Sequence, residues 1–218
     1  MSPAEGLVAD ERGVVRCSWA GEDALYRSYH DREWGLPVAG DRDLFELLTL
    51  EAFQSGLSWL TILRKRGSFR AAFSGFAIEK VARYGARDVD RLLGDPGIVR
   101  NRAKILATIN NAQRYAELLD EFGGLAPFVW SYEPPDETRP RTLTWKTLKA
   151  MATTPASKAM SKDLKRRGWA FIGPTTAYSF MQSAGIVNDH ITGCDRRGPC
   201  EAARRAFKRP ARKREPHA

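Results

Sequence analysis

The feature that most constrains this chain is a set of metal-binding side chains at its two ends. Near the C-terminus, within the run Ala170 to Cys194, His190 and Cys194 are separated by three residues. This spacing fits one helical turn or a tight loop, but a closed structural zinc site needs four ligands. Cys17 and His30, near the N-terminus, are the partners we predict. The four residues together would hold the two ends of the chain against each other.

A complete Cys2His2 set leaves no coordination position open, so the predicted zinc would be structural and not catalytic. The H-x-E and P-C-x-x-C signature of zinc deaminases is absent from the sequence. The spacing of Cys17 and His30 matches no zinc-finger pattern, so a buried cysteine and hydrogen-bonded histidines remain the alternative. Cys200 is left over as a free thiol near the tail.

Composition predicts a globular protein with a substantial core. The chain has 218 residues, of which 43% are hydrophobic and 28% charged, enough for one large domain or two small ones. No apolar run approaches the roughly 18 residues of a membrane helix, and the N-terminus lacks the basic and then apolar pattern of a signal peptide. We therefore expect a cytoplasmic protein without a membrane partner.

The net charge of +9 is concentrated in the tail. From Asp195 onward there are nine Lys or Arg residues against three acids, which accounts for +6 and leaves +3 for the body. Such a segment is typical of a disordered, solvated tail that aids solubility or contacts polyanions without specificity. Basicity alone therefore gives nucleic-acid binding only modest support.

Glu51 is the most informative carboxylate. Helical spacing predicts a helix beginning after Asp41 or Asp43, whose apolar stripe runs through Leu44 and Leu48 and then reaches Glu51. An acid on a core-facing stripe is costly unless it is paired or faces a functional cavity. The alternatives are a helix that turns toward solvent after Leu50, or a Glu51 neutralised by a nearby Arg.

The other segments are also predicted to be helical, and nothing alternates long enough to suggest a sheet. Asp23 is the expected N-cap of a helix on which Tyr26, Tyr29 and His30 share one face. A long amphipathic helix follows Ile98. The basic residues at its start could touch phosphate or simply be solvated; they are Arg100, Arg102 and Lys104.

Two helices joined by a short glycine-containing hairpin are predicted, the first over SKAMSKDLKRR at 157–167 and stopping at Gly168, the second opening at Gly173-Pro174 and ending at Gly185. Pro174 at the start of the second helix leaves free backbone amides there, which makes a good phosphate-binding device. The predicted DNA contacts are Lys165, Arg166, Arg167, Gly168, Gly173, Thr175 and Thr176. The alternative is an antiparallel helical pair that only packs.

These motifs together closely resemble the 3-methyladenine DNA glycosylase I (Tag) family. The matching runs are CSW at 17–19, ALYRSYHDREWGLP at 24–37, LFELLTLEAFQSGLSWLTILRKR at 44–66, GIVRNRAKI at 97–105 and RRGWAFIGPTTAYSFMQSAGIVNDHITGC at 166–194. The resemblance implies an all-α, helix-hairpin-helix DNA glycosylase with a structural zinc bound by Cys17, His30, His190 and Cys194. It also implies that Glu51 recognises the base, with Tyr29 as its companion. The implied pocket walls are Trp19, Trp34 and Trp59, to which we add Tyr26 from the same helical face as Tyr29.

The sequence also departs from related patterns at a few positions. Where other helix-hairpin-helix glycosylases place a catalytic Asp, this chain has Asn188, with Asp189 shifted by one. Where lyase-type members carry a nucleophilic Lys, it has Thr175 or Thr176, which implies a monofunctional enzyme without a Schiff base. Phe53 stands where the Tag pattern predicts a polar Gln.

We therefore predict a monofunctional glycosylase that hydrolyses the N-glycosidic bond of 3-methyladenine in alkylated double-stranded DNA. It would act as a monomer with no obligate protein partner. Its organisation would be a flexible extension at 1–14, one helical domain at 15–195 and a disordered basic tail at 196–218. The rivals are a non-catalytic, zinc-stapled DNA-binding module and a hydrolase that uses the zinc itself.

Overall fold

A computed structural model describes residues 4–212 of the chain. The last part of the predicted basic tail, residues 213–218, lies outside the described residues, as do residues 1–3. Within the described range the protein has two short strands, eleven α-helices and three short 3₁₀ turns. The strands are β1 (Leu7–Ala9) and β2 (Val15–Cys17), and the helices are α1 (Ala24–Arg32), α2 (Asp41–Gln54), α3 (Trp59–Ala72), α4 (Ile78–Val81), α5 (Ala86–Gly94), α6 (Arg102–Phe122), α7 (Leu125–Trp130), α8 (Trp145–Ala150), α9 (Pro155–Arg166), α10 (Pro174–Ser183) and α11 (Arg197–Ala206).

The predicted all-α fold class is confirmed, with one small exception at the N-terminus. β1 and β2 form an antiparallel hairpin in which Leu7 is paired with Cys17. Asp10 closes its turn by accepting hydrogen bonds from the backbone amides of Arg12 and Val14. The prediction of a flexible segment without strands is therefore wrong for residues 7–9. Strands of three residues are too short to produce a recognisable alternation in the sequence.

The prediction of a disordered tail from residue 196 is wrong for residues 197–206, which form α11. Cys200 and Arg204 on this helix are buried. Arg204 donates hydrogen bonds to the Gly185 carbonyl and to Glu133, and Phe207 packs on the Trp130 ring with 4.6 Å between centroids. Composition alone could not predict this helix because its partners lie in distant parts of the chain.

The predicted hairpin of helices is formed by α9 and α10. α10 packs against both α9 and α2, and the core beside α2 is aromatic. Phe53 is fully buried there, with its ring edge-on to Phe69 at 4.8 Å between centroids. Its place in the core explains why an apolar side chain is accommodated where the Tag pattern predicts Gln.

A close backbone contact joins the linker after α1 to the end of α10. Gly185 has φ +68, and a Cβ at this position would lie 2.3 Å from the carbonyl carbon of Leu36, so only glycine fits. Gly35 and Val38 donate backbone hydrogen bonds to the carbonyls of Gln182 and Ala184. This contact fixes the N-terminal segment against the second helix of the hairpin.

Within the described part of the chain, no helix combines the length and apolarity needed to cross a membrane.

Candidate active site and metal cluster

One cavity of about 320 Å³ brings together all six side chains predicted to form the base pocket. Those residues are Trp19, Tyr26, Tyr29, Trp34, Glu51 and Trp59. They come from four places in the chain, namely a 3₁₀ turn after β2, α1 and the residues after it, α2, and the first residue of α3. The predicted pocket residues therefore meet only through tertiary packing.

Local sequence signals position the aromatic walls. Asp23 caps α1 as predicted, because its carboxylate accepts hydrogen bonds from the amides of Leu25 and Tyr26. The Trp19 ring lies 5.1 Å from that of Tyr26 and 4.8 Å from that of Trp34. A second aromatic pair that lines the cavity is Tyr29 and Trp59, whose centroids are 5.4 Å apart.

Glu51 is the acidic group of this cavity. It is only 5% exposed, and burial raises its pKa to about 8, partly offset by the nearby Ser183 hydroxyl. In the described residues it takes part in no salt bridge. The two alternatives considered from sequence, a helix turned toward solvent and an arginine-neutralised acid, are therefore wrong. Glu51 is a buried, unpaired acid that faces an aromatic cavity.

The phenols of the cavity are neutral hydrogen-bond donors at physiological pH. Burial, reinforced by the charge of Glu51, raises the pKa of Tyr26 to about 12 and that of Tyr29 well above its usual value. The indole Nε1 of Trp59 is buried without a hydrogen-bond partner among the described residues. The cavity thus combines an acid with several donors that have spare hydrogen-bonding capacity.

Six further lining residues were not predicted from the sequence. They are Gln54, Trp145, Leu148, Lys149, Ser179 and Gln182. Ser179 and Gln182 lie three positions apart on α10, and the polar face that they share is a sequence pattern that could have indicated a wall of the cavity. α8, which carries Trp145 and Lys149, offered no such signal because its position over the cavity depends on long-range packing. Lys149 Nζ lies 5.1 Å from the centre of the Trp145 ring.

Cys17, His30, His190 and Cys194 form a buried cluster whose ligand atoms all lie within 4.8 Å of one another. The Cys194 sulfur is 3.6 Å from His30 Nε2 and 3.5 Å from His190 Nδ1, and the Cys17 sulfur is 3.8 Å from His190 Nδ1. A tetrahedral zinc with Zn–S near 2.3 Å and Zn–N near 2.05 Å would place sulfur and nitrogen about 3.6 Å apart. The four side chains therefore fit a metal ion.

The surroundings of the cluster also suit a metal. The second nitrogen of each histidine is occupied, since His30 Nδ1 lies 2.7 Å from Asp31 Oδ1 and His190 Nε2 lies 3.1 Å from the Trp34 carbonyl. Such partners fix the orientation of a metal-binding imidazole. Hydrogen bonding between the two sulfur atoms lowers the pKa of Cys194 and raises that of Cys17. A thiolate, the metal-binding form, is thereby favoured at Cys194.

The predicted DNA contacts on the hairpin are of two kinds, namely exposed residues and arginines that are paired with acidic side chains. Gly173, Thr175 and Lys165 are exposed, and Thr175 and Thr176 line a second cavity of about 220 Å³ with Glu51 and Leu57. Gly168 is also exposed, at the turn after α9.

The arginines beside the hairpin are engaged with protein groups. Arg167 has a side chain only 10% exposed that is paired with Glu121 and Asp163, so two carboxylates already occupy its guanidinium group, and a contact with phosphate stays a prediction. Arg166 is exposed but is also paired with Asp163.

The prediction that Lys104 is solvated or contacts phosphate is wrong. Lys104 is buried instead of solvated or free for phosphate, and its Nζ donates to the carbonyls of Phe53 and Ser55 at 2.9 and 2.7 Å. These carbonyls belong to the C-terminal end of α2, where a cation is favourable. Lys104 therefore fixes the end of the helix that carries Glu51.

A hairpin of helices beside an aromatic cavity with a buried acid defines a helical DNA glycosylase. The chain belongs to the methyladenine glycosylase family, whose model matches residues 19–197. It is similar to DNA-3-methyladenine glycosylase 1 of Escherichia coli (strain K12), with 46% identity over 183 residues that cover 83% of this chain and 96% of that protein.

The chain is also similar to solved structures of 3-methyladenine DNA glycosylase I. One describes the structural basis of 3-methyladenine recognition by 3-methyladenine DNA glycosylase I (TAG) from Staphylococcus aureus; it has a TM-score of 0.76 and 38% identity, and covers 84% of this chain and 96% of that one. Another is a tyrosine-to-phenylalanine variant of 3-methyladenine DNA glycosylase I in complex with 3-methyladenine, with a TM-score of 0.75, 37% identity and coverage of 84% and 97%.

Proposed function

We propose that this protein removes 3-methyladenine from alkylated double-stranded DNA by hydrolysing the N-glycosidic bond, and that it leaves an abasic site. The observation that carries the proposal is Glu51, a buried acid without an ionic partner in the described chain, which lines a cavity with aromatic walls. The activities named for the relatives support the same substrate.

The cavity suits an adenine methylated at N3 because that base carries a positive charge in DNA. Aromatic faces attract cations through their ring quadrupoles, and Trp19, Trp34 and Trp59 line the cavity. A carboxylate that is shielded from water interacts with a cation more strongly than one in solvent. Glu51 is therefore assigned as the catalytic and base-recognition acid, and Tyr29 and Tyr26 as neutral contacts to the base.

The chemical step needs little more than binding and orientation. Water forms a bond to C1′ of the sugar while the C1′–N9 bond breaks, and the bonding pair moves to the base and neutralises its charge. The proton lost by water passes to solvent. The charge of the base already makes it a good leaving group, so the cavity contributes by holding the flipped nucleotide in place.

Access to a base requires that the duplex be held and opened. The exposed start of α10, with Gly173, Thr175 and Thr176, is assigned to the DNA backbone because free amides at a helix N-terminus bind phosphate. Leu57 is 41% exposed on the loop between α2 and α3 and lines the cavity that contains Thr175. It is the apolar side chain best placed to occupy the space that a flipped base leaves.

We assign the Cys2His2 cluster to a structural zinc ion, bound by Cys17, His30, His190 and Cys194. When bound, the ion would cross-link the N-terminal segment to the residues after α10 and contribute to folding. The reaction itself needs no step at the cluster, since four protein ligands complete a tetrahedral site. Because one chain supplies every residue of the cavity, the protein is expected to act as a monomer.

The test is release of free 3-methyladenine from methylated duplex DNA by wild-type protein and by Glu51→Gln. We expect the wild type to release the base and Glu51→Gln to be slower by at least about 100-fold, the scale of losing one electrostatic contact to the transition state. Glu46→Gln is the matched control, since Glu46 is a buried acid of the same helix that is paired with Arg70 and does not line the cavity. Unchanged release by Glu51→Gln would remove Glu51 from this role, and DNA binding without any base release would favour the rival binding module.

A further inference from the structure

Gln182 has one half of its side-chain amide occupied and the other half free. Its Nε2 donates a hydrogen bond of 2.8 Å to Asp189 Oδ2. The carbonyl Oε1 makes no hydrogen bond within the described residues, and it is accessible to solvent. Since Gln182 lines the aromatic cavity, this accessible oxygen is available to a molecule bound there.

The orientation of the amide follows from the chemistry of Asp189. Asp189 is fully buried and forms an ion pair with Arg139. Its second oxygen accepts a hydrogen bond from the Tyr178 hydroxyl as well as from Gln182. An ionised carboxylate can only accept hydrogen bonds. The NH2 group of Gln182 must therefore face Asp189, and the Oε1 atom must occupy the other position of the amide.

We propose that Gln182 is a specificity-determining residue that accepts a hydrogen bond from the exocyclic amino group of the flipped adenine, and that Asp189 is a positioning residue that fixes the Gln182 amide in this orientation. The inference rests on the proposed function, because it assigns a contact to the base in the same cavity. It also gives Asp189 a role other than that of a displaced catalytic acid, since the buried carboxylate lies behind Gln182.

The arrangement distinguishes the atom attached to C6 of a purine. Adenine carries an amino group there, with two hydrogens that can be donated to two acceptors, Glu51 and Gln182. Guanine and hypoxanthine carry a carbonyl oxygen, which would face the Gln182 oxygen with no hydrogen between them. Sites built to bond a particular polar group discriminate strongly because a mismatched group is left buried and unpaired.

Binding of free bases gives the most direct test. The quenching of tryptophan fluorescence is titrated with 3-methyladenine and with 3-methylhypoxanthine, which has a C6 carbonyl. We expect wild-type protein to prefer 3-methyladenine by about 100-fold or more. Gln182→Leu and Gln182→Met are expected to lower this preference by about tenfold, since each lacks the acceptor. Asp189→Asn is expected to lower it at least as much, because an asparagine can also donate and so allows the Gln182 amide to turn over.

Gln113→Leu, an exposed substitution on α6, is the matched control and should retain the wild-type preference. If Asp189→Asn does not fold, the two Gln182 variants still decide the question. An unchanged preference in both would overturn the inference even if wild-type protein releases 3-methyladenine from DNA. Failure of wild-type protein to bind or release 3-methyladenine would instead contradict the proposed function itself.

Discussion

The imidazole of His190 and the backbone carbonyl of Trp34 are joined by a hydrogen bond of 3.1 Å from Nε2. The His190 ring and the Trp34 indole also pack edge to face, with 4.7 Å between their centroids. His190 is a member of the metal cluster, whereas Trp34 lines the aromatic cavity. The cluster and the cavity wall are therefore parts of one packed unit, and a change in one is expected to alter the other.

Loss of a cluster ligand should destabilise the protein before it alters the chemistry. We expect Cys194→Ser to abolish bound zinc and to lower the free energy of unfolding by several kcal/mol, because metal binding is coupled to folding. Zinc content by elemental analysis and thermal unfolding with and without a chelator measure both effects. Cys200→Ser is the matched control, since Cys200 is a buried cysteine outside the cluster and its variant should retain one zinc per chain. A fully active, equally stable Cys194→Ser protein would contradict this assignment.

The activity should depend on pH through Glu51. The pKa of this acid is raised to about 8, so below pH 8 most of the free protein holds it as a neutral acid. Binding of a cationic base favours the carboxylate, so kcat/KM for alkylated DNA is expected to rise with pH and to level off above about pH 8. Glu51→Gln should show a low, flat profile over the same range. Affinity for unmodified DNA is measured in parallel, and a flat wild-type profile from pH 6 to 9 would count against Glu51.

The buried Glu51 should also destabilise the folded protein. The pKa of Glu51 in the folded protein lies above its ordinary value of 4.5, so between about pH 4.5 and pH 8 the folded state binds more protons than the unfolded chain. The free energy of unfolding therefore falls as the pH rises through this window. We expect Glu51→Gln to raise it by about 1–3 kcal/mol at pH 8 and by less at pH 5. Chemical denaturation at the two pH values measures the difference, which should be near zero for an acid that is not perturbed.

Lys149 is expected to contact the DNA backbone. Its side chain is exposed on α8, lines the cavity and lies beside Trp145, so we expect it to reach a phosphate of a nucleotide that is flipped into this cavity. Lys149→Ala should weaken binding to alkylated duplex DNA and reduce the slope of log affinity against log salt concentration by about 1. The control is Lys80→Ala, an exposed lysine of α4 that lines neither cavity. Equal salt slopes for the two variants would exclude a phosphate contact at Lys149.

Local patterns predicted the parts of the site that depend on neighbouring residues in the chain. The Asp23 cap, the shared face of Tyr26, Tyr29 and His30, and the hairpin of α9 and α10 are examples. Patterns failed where a charged side chain meets a distant partner. Lys104 and Arg167 look like solvated bases in the sequence, but the end of α2 and the acids Glu121 and Asp163 engage them.

The sequence by itself determined which chemical groups are available, namely two cysteines and two histidines for a metal, and an acid, Glu51, on an otherwise apolar stripe. Only the tertiary structure decided what those groups can do. Packing of α1, α2, α3 and α10 encloses Glu51 and raises its pKa, and a carboxylate seven residues away along the chain sets the orientation of the Gln182 amide. The reason is physical, since burial and hydrogen-bond direction depend on groups from several elements, and no local pattern records which elements will meet.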